Sequence, residues 1–360
     1  MAPGGIAHHD IRRREFLQAA GSAALASPPC GRGVRGANDR VNLAFIGLGR
    51  RGSANLWHAA RVPGFRIAAV CDLHAPALQQ AQAQAKALGF TGTKAHRDFG
   101  EILVDGSIDA VCIAVPGALT PHLTVQACQS GKDVYVETPV FVNLDEGPPM
   151  VDAARQCRRV VQAGTALRSG VAFRKAREVI QSGQLGGVAF CRLTGATEPM
   201  PVIDLLQFLF DEAAPVSVAA QVGVGLVDIT FRYPAFIASY QSLAGPAAAK
   251  RAAAQPVAAK PPAAQPWNVS IHGSRATLAL SRAGYSLVPG VFPAGHGHLE
   301  VSSRRAVEPR GDPVQVAHWK NFLECIRTGR RPAGDIEACV RSTTACLRAG
   351  LAMRPTWMSV

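Results

Sequence analysis

The stretch GLGRRG, residues 47–52, has the residue types and spacing to bind a phosphate group. In a turn of the form G-x-G-x-x-G, the first glycine, Gly47, permits a tight bend. The second, Gly49, has no Cβ, so a pyrophosphate can approach the backbone, and the third, Gly52, lets a helix pack closely on the preceding strand. A helix beginning near Arg50 would point its free N–H groups at the phosphates. The stretch therefore predicts a dinucleotide site.

An acid follows at the spacing that such a site requires. Asp72 ends the apolar run FRIAAVC at 65–71, twenty residues past Gly52. A dinucleotide fold places a carboxylate there to accept hydrogen bonds from the adenosine ribose hydroxyls. The same carboxylate repels a 2′-phosphate, which favours NAD, whereas Arg50 and Arg51 could accept that phosphate and allow NADP. The alternative is a glycine turn in a fold that binds phosphate differently or binds nothing.

Strands alternate with helices through the first half of the chain, which predicts a parallel sheet with right-handed crossovers. The predicted strands cover 41–46, 65–71, 109–115, 133–137 and 158–163, and the predicted helices cover 75–88, 98–103, 120–129 and 143–157. This pattern is typical of a doubly wound Rossmann dinucleotide-binding domain, and we assign it to residues 41–163.

The second half, residues 164–360, predicts an α+β domain with an open, mostly antiparallel sheet. After a helix at 172–182, strand-like runs with little helix between them cover 187–194, 215–222, 224–232, 235–243, 267–272 and 276–280. Two closing helices are predicted at 313–327 and 335–350. The Ala/Pro/Lys-rich stretch 244–266 is predicted to be a disordered loop between two strands.

Residues 1–40 predict an export signal and a spacer. Arg13 and Arg14 lie in the twin-arginine pattern R-R-x-F-L, a mildly apolar stretch follows, and Ala24 and Ala26 form an A-x-A cleavage site. The alternative is a small amphipathic helix. The signal predicts export of the folded protein to the periplasm or the extracellular space.

Composition excludes several classes of function. The net charge is +13, but the basic residues are scattered, which argues against nucleic-acid binding. No apolar run reaches the length of a membrane-spanning helix. The nine cysteines show no C-x-x-C and no metal-type pairing with histidines, so we interpret them as buried thiols and expect no metal site.

Several collinear segments resemble the glucose–fructose oxidoreductase and inositol dehydrogenase family (Gfo/Idh/MocA), in particular its twin-arginine exported members. The segments are AFIGLGRRG, AVCD at 69–72, DAVCIAVP at 109–116, TVQACQSGKDVYVETP at 124–139, VVQAGTALRSG at 160–170, AHWKNFLECIRTGRRP at 317–332 and RSTT at 341–344. The resemblance implies an NAD(P)-binding domain and a substrate domain whose sheet often forms the contact in a homo-oligomer. It implies hydride transfer between nicotinamide and a sugar or cyclitol carbon, and some members cleave glycosides through transient oxidation.

The residues that the resemblance assigns to proton transfer are missing from this chain. The family's E-K-P motif reads Glu137-Thr138-Pro139 here, and threonine cannot replace a lysine that holds or relays a proton. In the family's second-domain motif D-x-G-x-H-x-x-D, only Asp204 fits, with Pro201 at the histidine position. Both histidines of the A-T-P-D-H-W-H stretch of exported members are also absent, and the substrate loop before Asp204 is shortened.

Two functions therefore remain open: an oxidoreductase with an unusual catalytic set, or a non-catalytic relative that binds a dinucleotide and acts as a carbohydrate- or partner-binding scaffold. The catalytic residues are unknown. The candidates for a base are Glu137, Asp204, His272, His296, His298 and His318. The predicted cofactor-binding residues are Gly47, Leu48, Gly49, Arg50, Arg51, Gly52, Asp72, Pro116 and Glu137.

Overall fold

The computed structural model describes residues 40–195, 199–211, 214–223, 226–242, 267–290, 304–307 and 313–352. The predicted export signal and cleavage site lie outside the described residues. So does nearly all of the spacer, of which only Arg40 is described, and so does the predicted loop 244–266. The described chain forms two sheets, one from each half of the sequence.

The first sheet contains six parallel strands in the order β3-β2-β1-β4-β5-β6. Its strands are β1 (Val41–Ile46), β2 (Phe65–Cys71), β3 (Lys94–His96), β4 (Ala110–Ile113), β5 (Asp133–Val136) and β6 (Val161–Ala163). The connecting helices are α1 (Arg50–Ala59), α2 (Ala75–Ala87), α3 (Phe99–Val104), α4 (Thr120–Gln129) and α5 (Gly147–Gln156). The strand order reverses between β1 and β4, which confirms the predicted doubly wound fold.

The strands of this sheet form because their residues can be buried on both faces. Every residue of β4 and of β5 is buried, which matches an interior parallel strand covered by helices. The edge strand β3 was not predicted. Its three residues are exposed or half-buried and carry no apolar run, so the sequence gives no strand signal there.

The second sheet contains eight strands in the order β14-β13-β12-β11-β7-β10-β9-β8. Its strands are β7 (Val188–Gly195), β8 (Ser217–Gly223), β9 (Leu226–Arg232), β10 (Ile237–Ser242), β11 (Trp267–Gly273), β12 (Ala276–Ser281), β13 (Gly284–Pro289) and β14 (Arg304–Val307). The pair β7 and β10 is parallel and the other pairs are antiparallel, so the predicted mostly antiparallel sheet is confirmed.

Helices α6 (Val171–Gln181) and α7 (Met200–Phe210) contribute to the apolar core beneath one face of this sheet. The strand-like runs predicted little helix between residues 187 and 243, and this prediction was wrong at α7. Only the family resemblance implied a helix there. Nine of the eleven residues of α7 are buried, so no polar face marks the helix in the sequence.

The chain then returns to the first sheet through helix α8 (Pro313–Thr328). The ring of Trp319 stacks on Tyr135 of β5 with centroids 4.0 Å apart, and it meets Phe65 of β2 edge to face at 5.8 Å. The last helix of the described residues, α9 (Ile336–Ala352), contributes Cys339 to the core of the first sheet and Ala345 to that of the second. The sequence-based division at residue 163 therefore separates the strands of the two sheets. Helices α8 and α9 follow this division in the chain but pack against the first sheet as well.

Eight cysteines in the described part of the chain are free thiols, and seven of them are buried, as the sequence predicts. Among the described residues, none of the helices combines the length and apolarity needed to cross a membrane. The same residues contain no cluster of three or more His, Cys, Asp or Glu side chains that could hold a metal ion.

Candidate cofactor site

The glycine turn between β1 and α1 is closed by contacts that leave no room for side chains at two of its glycines. Gly47 has a φ of +86°, and a Cβ there would lie 2.5 Å from the carbonyl oxygen of Ala114. A Cβ on Gly52 would lie 1.9 Å from the carbonyl oxygen of Gly47. The backbone of the turn therefore packs against the start of its own helix and against the chain that leaves β4, as the predicted roles of these glycines require.

Gly49 differs from the other two, because a Cβ added there would meet nothing within 4 Å. It is the N-cap residue of α1, and no side chain caps this helix end. The first N–H groups of a helix have no partner within the helix, and its N-terminus carries partial positive charge. The open space at Gly49 therefore fits an anionic group such as a pyrophosphate, and the turn meets the requirements for a dinucleotide.

Asp72 follows β2, and its carboxylate is hydrogen-bonded to the glycine turn. Its Oδ2 accepts a hydrogen bond from the backbone N of Leu48 at 2.7 Å, and its Oδ1 accepts one from the backbone N of His74 at 2.9 Å. Each carboxylate oxygen has a second lone pair, so both can still accept a hydroxyl hydrogen. The carboxylate thus fixes the turn and remains available to a ribose.

Glu137 follows β5 and lies at the same edge of the sheet. The side-chain amide of Asn55 donates to its Oε1 at 2.9 Å, and the Arg51 guanidinium lies 3.9 Å from its Oε2. The backbone N of Thr138 donates to the same oxygen at 3.3 Å. The side chain is only 11% exposed. Glu137 is therefore an oriented carboxylate whose hydrogen-bonding capacity is partly used within the protein.

The structure brings all nine predicted cofactor residues to the carboxyl edge of the first sheet. The six residues of the glycine turn follow β1, and Asp72, Pro116 and Glu137 follow β2, β4 and β5. Arg50, Arg51 and Pro116 are exposed. Ligands of open α/β sheets bind at this edge, at the point where the strand order reverses. Contact of each residue with a cofactor remains a prediction.

Asp204, one of the candidate bases, is buried within the protein. Its carboxylate forms two 2.8 Å hydrogen bonds with the Arg168 guanidinium, and the hydroxyl of Ser342 lies 2.8 Å from its Oδ1. Asp204 is 1% exposed. Its assignment as a possible base is therefore wrong for this structure, because the carboxylate is occupied by a buried ion pair.

The histidine candidates in the described chain do not reach the carboxyl edge as free bases. His318 is fully buried, and its two ring nitrogens bond the hydroxyl of Ser169 at 2.7 Å and the carbonyl of Ala163 at 2.8 Å. Burial lowers the pKa of His318 from 6.5 to about 4. His272 is exposed on the second sheet, beside Ser270. His296 and His298 lie outside the described residues.

Sequence reasoning missed three residues that shape these sites: Asn55, Arg168 and Ser342. Asn55 is buried on α1 and orients Glu137. A polar residue on the inward face of the helix that follows the glycine turn was the available signal for it. Arg168 and Ser342 are 174 positions apart in the sequence, which carries no signal that both of them contact Asp204.

Comparison with known proteins supports the assignment of the first sheet. Residues 41–165 match the family model GFO_IDH_MocA, described as an oxidoreductase family with an NAD-binding Rossmann fold. The predicted NAD cofactor is therefore confirmed as the cofactor class of the matched family.

Two curated relatives align with about half of the chain or less. The uncharacterized oxidoreductase YrbE of Bacillus subtilis (strain 168) is 26% identical over 47% of this chain and 48% of its own length. A glycosyl hydrolase family 109 protein of Shewanella baltica (strain OS155 / ATCC BAA-1091) is 29% identical over 42% of this chain and 38% of its own length. The alignments thus span less than half the length of these relatives.

Solved structures extend the likeness of the fold to both sheets. A levoglucosan dehydrogenase in complex with NADH and levoglucosan superposes with a TM-score of 0.69 at 16% identity, covering 87% of this chain and 97% of that one. An oxidoreductase domain protein from Kribbella flavida gives 0.71 at 15% identity, with coverage of 87% and 97%. At these identities, the likeness establishes the fold alone.

Proposed function

We propose, from the premise that residues 41–165 form an NAD-binding Rossmann domain of the Gfo/Idh/MocA oxidoreductases, that this protein binds NAD at the carboxyl edge of its first sheet. NADP is the alternative cofactor. The proposed reaction is hydride transfer on a sugar or cyclitol-like substrate, carried out with a degraded catalytic set. Neighbours in fold and sequence support the substrate class, since they include a levoglucosan dehydrogenase and a glycosyl hydrolase family 109 protein.

One observation carries the cofactor proposal: the open space at Gly49 within an otherwise closed turn. The turn excludes side chains at Gly47 and Gly52 and leaves room at the one position where a pyrophosphate would approach. Asp72 lies beside the same turn, bonded to Leu48. The pyrophosphate would contact the start of α1, and the adenosine ribose would contact Asp72.

The proposal of a degraded catalytic set depends on which proton-transfer groups the described residues place at the carboxyl edge of the first sheet. Oxidation of an alcohol by hydride transfer needs a base for the hydroxyl proton. Thr138 and Pro201 stand where the resemblance implies a lysine and a histidine, and neither side chain can act as that base. Among the described candidates, Glu137 is the one with an accessible side chain at the carboxyl edge, and Asn55 and the backbone N of Thr138 orient its carboxylate.

A non-catalytic role is the second candidate function. It is favoured by the burial of Asp204, the one residue of the second-domain motif that this chain retains, because a carboxylate enclosed with Arg168 is not accessible to a substrate. In that case the dinucleotide would stay bound as part of the structure, and the protein would act as a carbohydrate- or partner-binding scaffold.

Two measurements separate these functions. The purified protein is first denatured and the released nucleotide identified, and NAD is the expected product. A library of sugars and cyclitols is then added to the native protein with NAD, and absorbance at the nicotinamide band is followed. An oxidoreductase reduces the cofactor with at least one substrate, whereas a scaffold binds NAD without an absorbance change. Absence of any bound or binding dinucleotide would overturn the cofactor proposal itself.

The variant Thr138→Lys tests the missing proton-transfer group. A positioned acid or base contributes about 10²–10⁴-fold to a rate, but groups that act together are not additive. Because Pro201 occupies the histidine position, Thr138→Lys is expected to raise turnover by less than about tenfold. Robust oxidation of a sugar by the unmodified protein would show that Glu137 or another residue carries the chemistry.

Export through the twin-arginine route is proposed from Arg13, Arg14 and the A-x-A site alone. The proposed location is the periplasm or the extracellular space. Replacing both arginines with lysine should leave the protein in the cytoplasm. Unchanged export of that double variant would contradict the proposal.

Association of two copies through the second sheet is also proposed. One face of this sheet covers α6 and α7, and the other carries small and polar residues, among them Thr194, Asn268 and Ser270, which line a shallow cavity of about 570 Å³. Ile237 is 43% exposed at the start of β10. Light scattering should report a dimer or larger assembly, and Ile237→Glu should shift it toward the monomer.

A further inference from the structure

A second cavity lies at the opposite end of the first sheet from the proposed cofactor site. It has a volume of about 610 Å³ and is bordered by the start of β6, the end of α5 and the turn after α8. Because all strands of this sheet are parallel, the residues before β6 lie at the amino edge, whereas the glycine turn lies at the carboxyl edge. The two sites are therefore separated by the length of the strands.

Arginines dominate the lining of this cavity. The five arginines are Arg155, Arg158, Arg159, Arg330 and Arg331, and Asp335 is the single carboxylate of the lining. The Arg155 guanidinium is ion-paired with Asp335, so that carboxylate neutralises only one of the five. Arg330 and Arg331 also pair with Glu324 and Glu337 at the exposed rim, where such pairs are weak and both arginines remain more than two-thirds exposed.

Arg159 is held in place with one nitrogen left over. Its Nε donates to the carbonyl of Cys157 and one terminal nitrogen donates to the carbonyl of Gly131, both at 3.0 Å. Its other terminal nitrogen is buried, and it has no hydrogen-bond partner in the described structure. A buried guanidinium nitrogen without an acceptor is costly, and Arg159 adds its positive charge to the lining of the cavity.

Arg158 stands at a position that glycine normally occupies. It follows the end of α5 with a φ of +52°, in the left-handed region that disfavours side chains. Its side chain is exposed and lines the cavity next to Arg159. Arg158 thus places a long cationic side chain at a position where the backbone geometry favours glycine. Its charge adds to the positive charge of the cavity.

We propose that this cavity binds a small, multiply charged oxyanion, either a phosphate or a carboxylate compound. Guanidinium groups form paired, charge-assisted hydrogen bonds with both kinds of oxygen, and several of them around one cavity select a ligand with more than one negative charge. The volume lies within the range of small-molecule sites, which favours a small ligand over a polymer. The proposal is independent of the cofactor site.

Titration calorimetry with inorganic tripolyphosphate and, separately, with citrate tests the proposal on the full chain. Saturating NAD is present so that neither anion binds at the glycine turn. The test variant is Arg158→Gln/Arg330→Gln, which removes two exposed charges. One matched control, Arg50→Gln/Arg51→Gln, removes two charges at the glycine turn, and the other, Arg174→Gln/Arg275→Gln, removes two exposed charges elsewhere.

We expect the unmodified protein to bind at least one of the anions saturably. The affinity should fall at least tenfold in Arg158→Gln/Arg330→Gln and less than about twofold in both controls. Arg158→Lys should retain most of the affinity, since it keeps the charge. The tighter of the two anions identifies the chemical class of the ligand. Absence of saturable binding, equal weakening in all three double variants, or a loss confined to Arg50→Gln/Arg51→Gln would overturn the proposal. Circular dichroism of each variant verifies that it is folded.

Discussion

Two polar regions of this protein differ in how their hydrogen-bonding groups are used. At the carboxyl edge of the first sheet, Gly49 faces open space and Asp72 keeps free lone pairs. A second region, which we name the buried polar cluster, contains Arg168, Ser169, Asp204, Gln207, His318 and Ser342. Its side chains hydrogen-bond one another and the carbonyl of Ala163. The edge is therefore suited to binding a ligand, whereas the buried polar cluster is satisfied within the protein and reaches the first sheet through the bond of His318 to Ala163.

The comparison shows that a residue's chemical type does not decide its role. Asp72 and Asp204 are both acids in segments that the family resemblance covers. Asp72 contacts two backbone N–H groups at an accessible turn, and Asp204 is enclosed by Arg168 and Ser342. Solvent access and the partner groups separate a binding residue from a structural one.

Breaking the buried ion pair should give the largest effect on stability. The variant Arg168→Met leaves the Asp204 carboxylate buried without its partner, and the expected loss is about 3–5 kcal/mol in the free energy of unfolding. Urea denaturation measures it. The exposed control Arg174→Met should lose less than about 0.5 kcal/mol. The double variant Arg168→Met/Asp204→Leu should recover much of the loss. A loss below about 1 kcal/mol in the single variant would contradict the structural role of the pair.

Acid should weaken the buried polar cluster through His318. The carbonyl of Ala163 can only accept, so Nε2 carries the proton and Nδ1 accepts from Ser169, which leaves the ring neutral. Burial lowers the pKa of His318 from 6.5 to about 4. Its contribution is fully present above pH 6.5 and is lost as the pH falls toward 4, because the unfolded state takes up the proton first.

Between pH 7.5 and pH 5, this titration should cost about 2 kcal/mol in the free energy of unfolding. The variant His318→Gln should remove that part of the pH dependence, since glutamine does not titrate. The matched variant His122→Gln alters an exposed histidine on α4 and should leave the dependence unchanged. Equal pH profiles for the unmodified protein and His318→Gln would show that the ring is not held neutral. Urea denaturation across this pH range provides the measurement.

At the carboxyl edge, Gly49→Ala should affect binding without affecting folding. Its added methyl group meets no protein atom within 4 Å, so the free energy of unfolding should stay within about 0.5 kcal/mol of the unmodified protein. The methyl group would occupy the proposed pyrophosphate position, and the Kd for NAD should rise about tenfold, or by about 1.4 kcal/mol.

The control for that variant is Gly52→Ala, whose methyl group would lie 1.9 Å from the carbonyl oxygen of Gly47. It should lower both the affinity for NAD and the stability, the latter by about 1–3 kcal/mol. Unchanged NAD affinity in Gly49→Ala would mean that the phosphates bind elsewhere. Calorimetry and denaturation, run on both variants, separate the two effects.

The smallest expected effect concerns the choice between NAD and NADP. Asp72→Asn keeps an oxygen that can accept from Leu48 and removes the charge that repels a 2′-phosphate. An interaction between two charges near the surface is worth about 0.2–1 kcal/mol, so the preference for NAD should fall by roughly two- to fivefold. Titration of both cofactors measures it. Tighter binding of NADP by the unmodified protein would show that Arg50 and Arg51 outweigh Asp72.

The local features of the fold could be predicted from the sequence. Buried strands such as β4 show as uncharged apolar runs, and the glycine turn shows through a spacing that depends only on neighbouring residues. The edge strand β3 and the buried helix α7 were missed, because one has no apolar run and the other has no polar face. Both depend on what packs against them.

Only the tertiary structure decided which polar residues are available for chemistry. Asp204, His318 and Glu137 were equal candidates for a base in the sequence, and packing buried the first two within the protein. The partners of Asp204 lie 36 and 138 positions away in the chain. The availability of a carboxylate or an imidazole depends on burial and on the groups opposite it. Folding brings those groups together from distant parts of the chain, so no local pattern of residues records them.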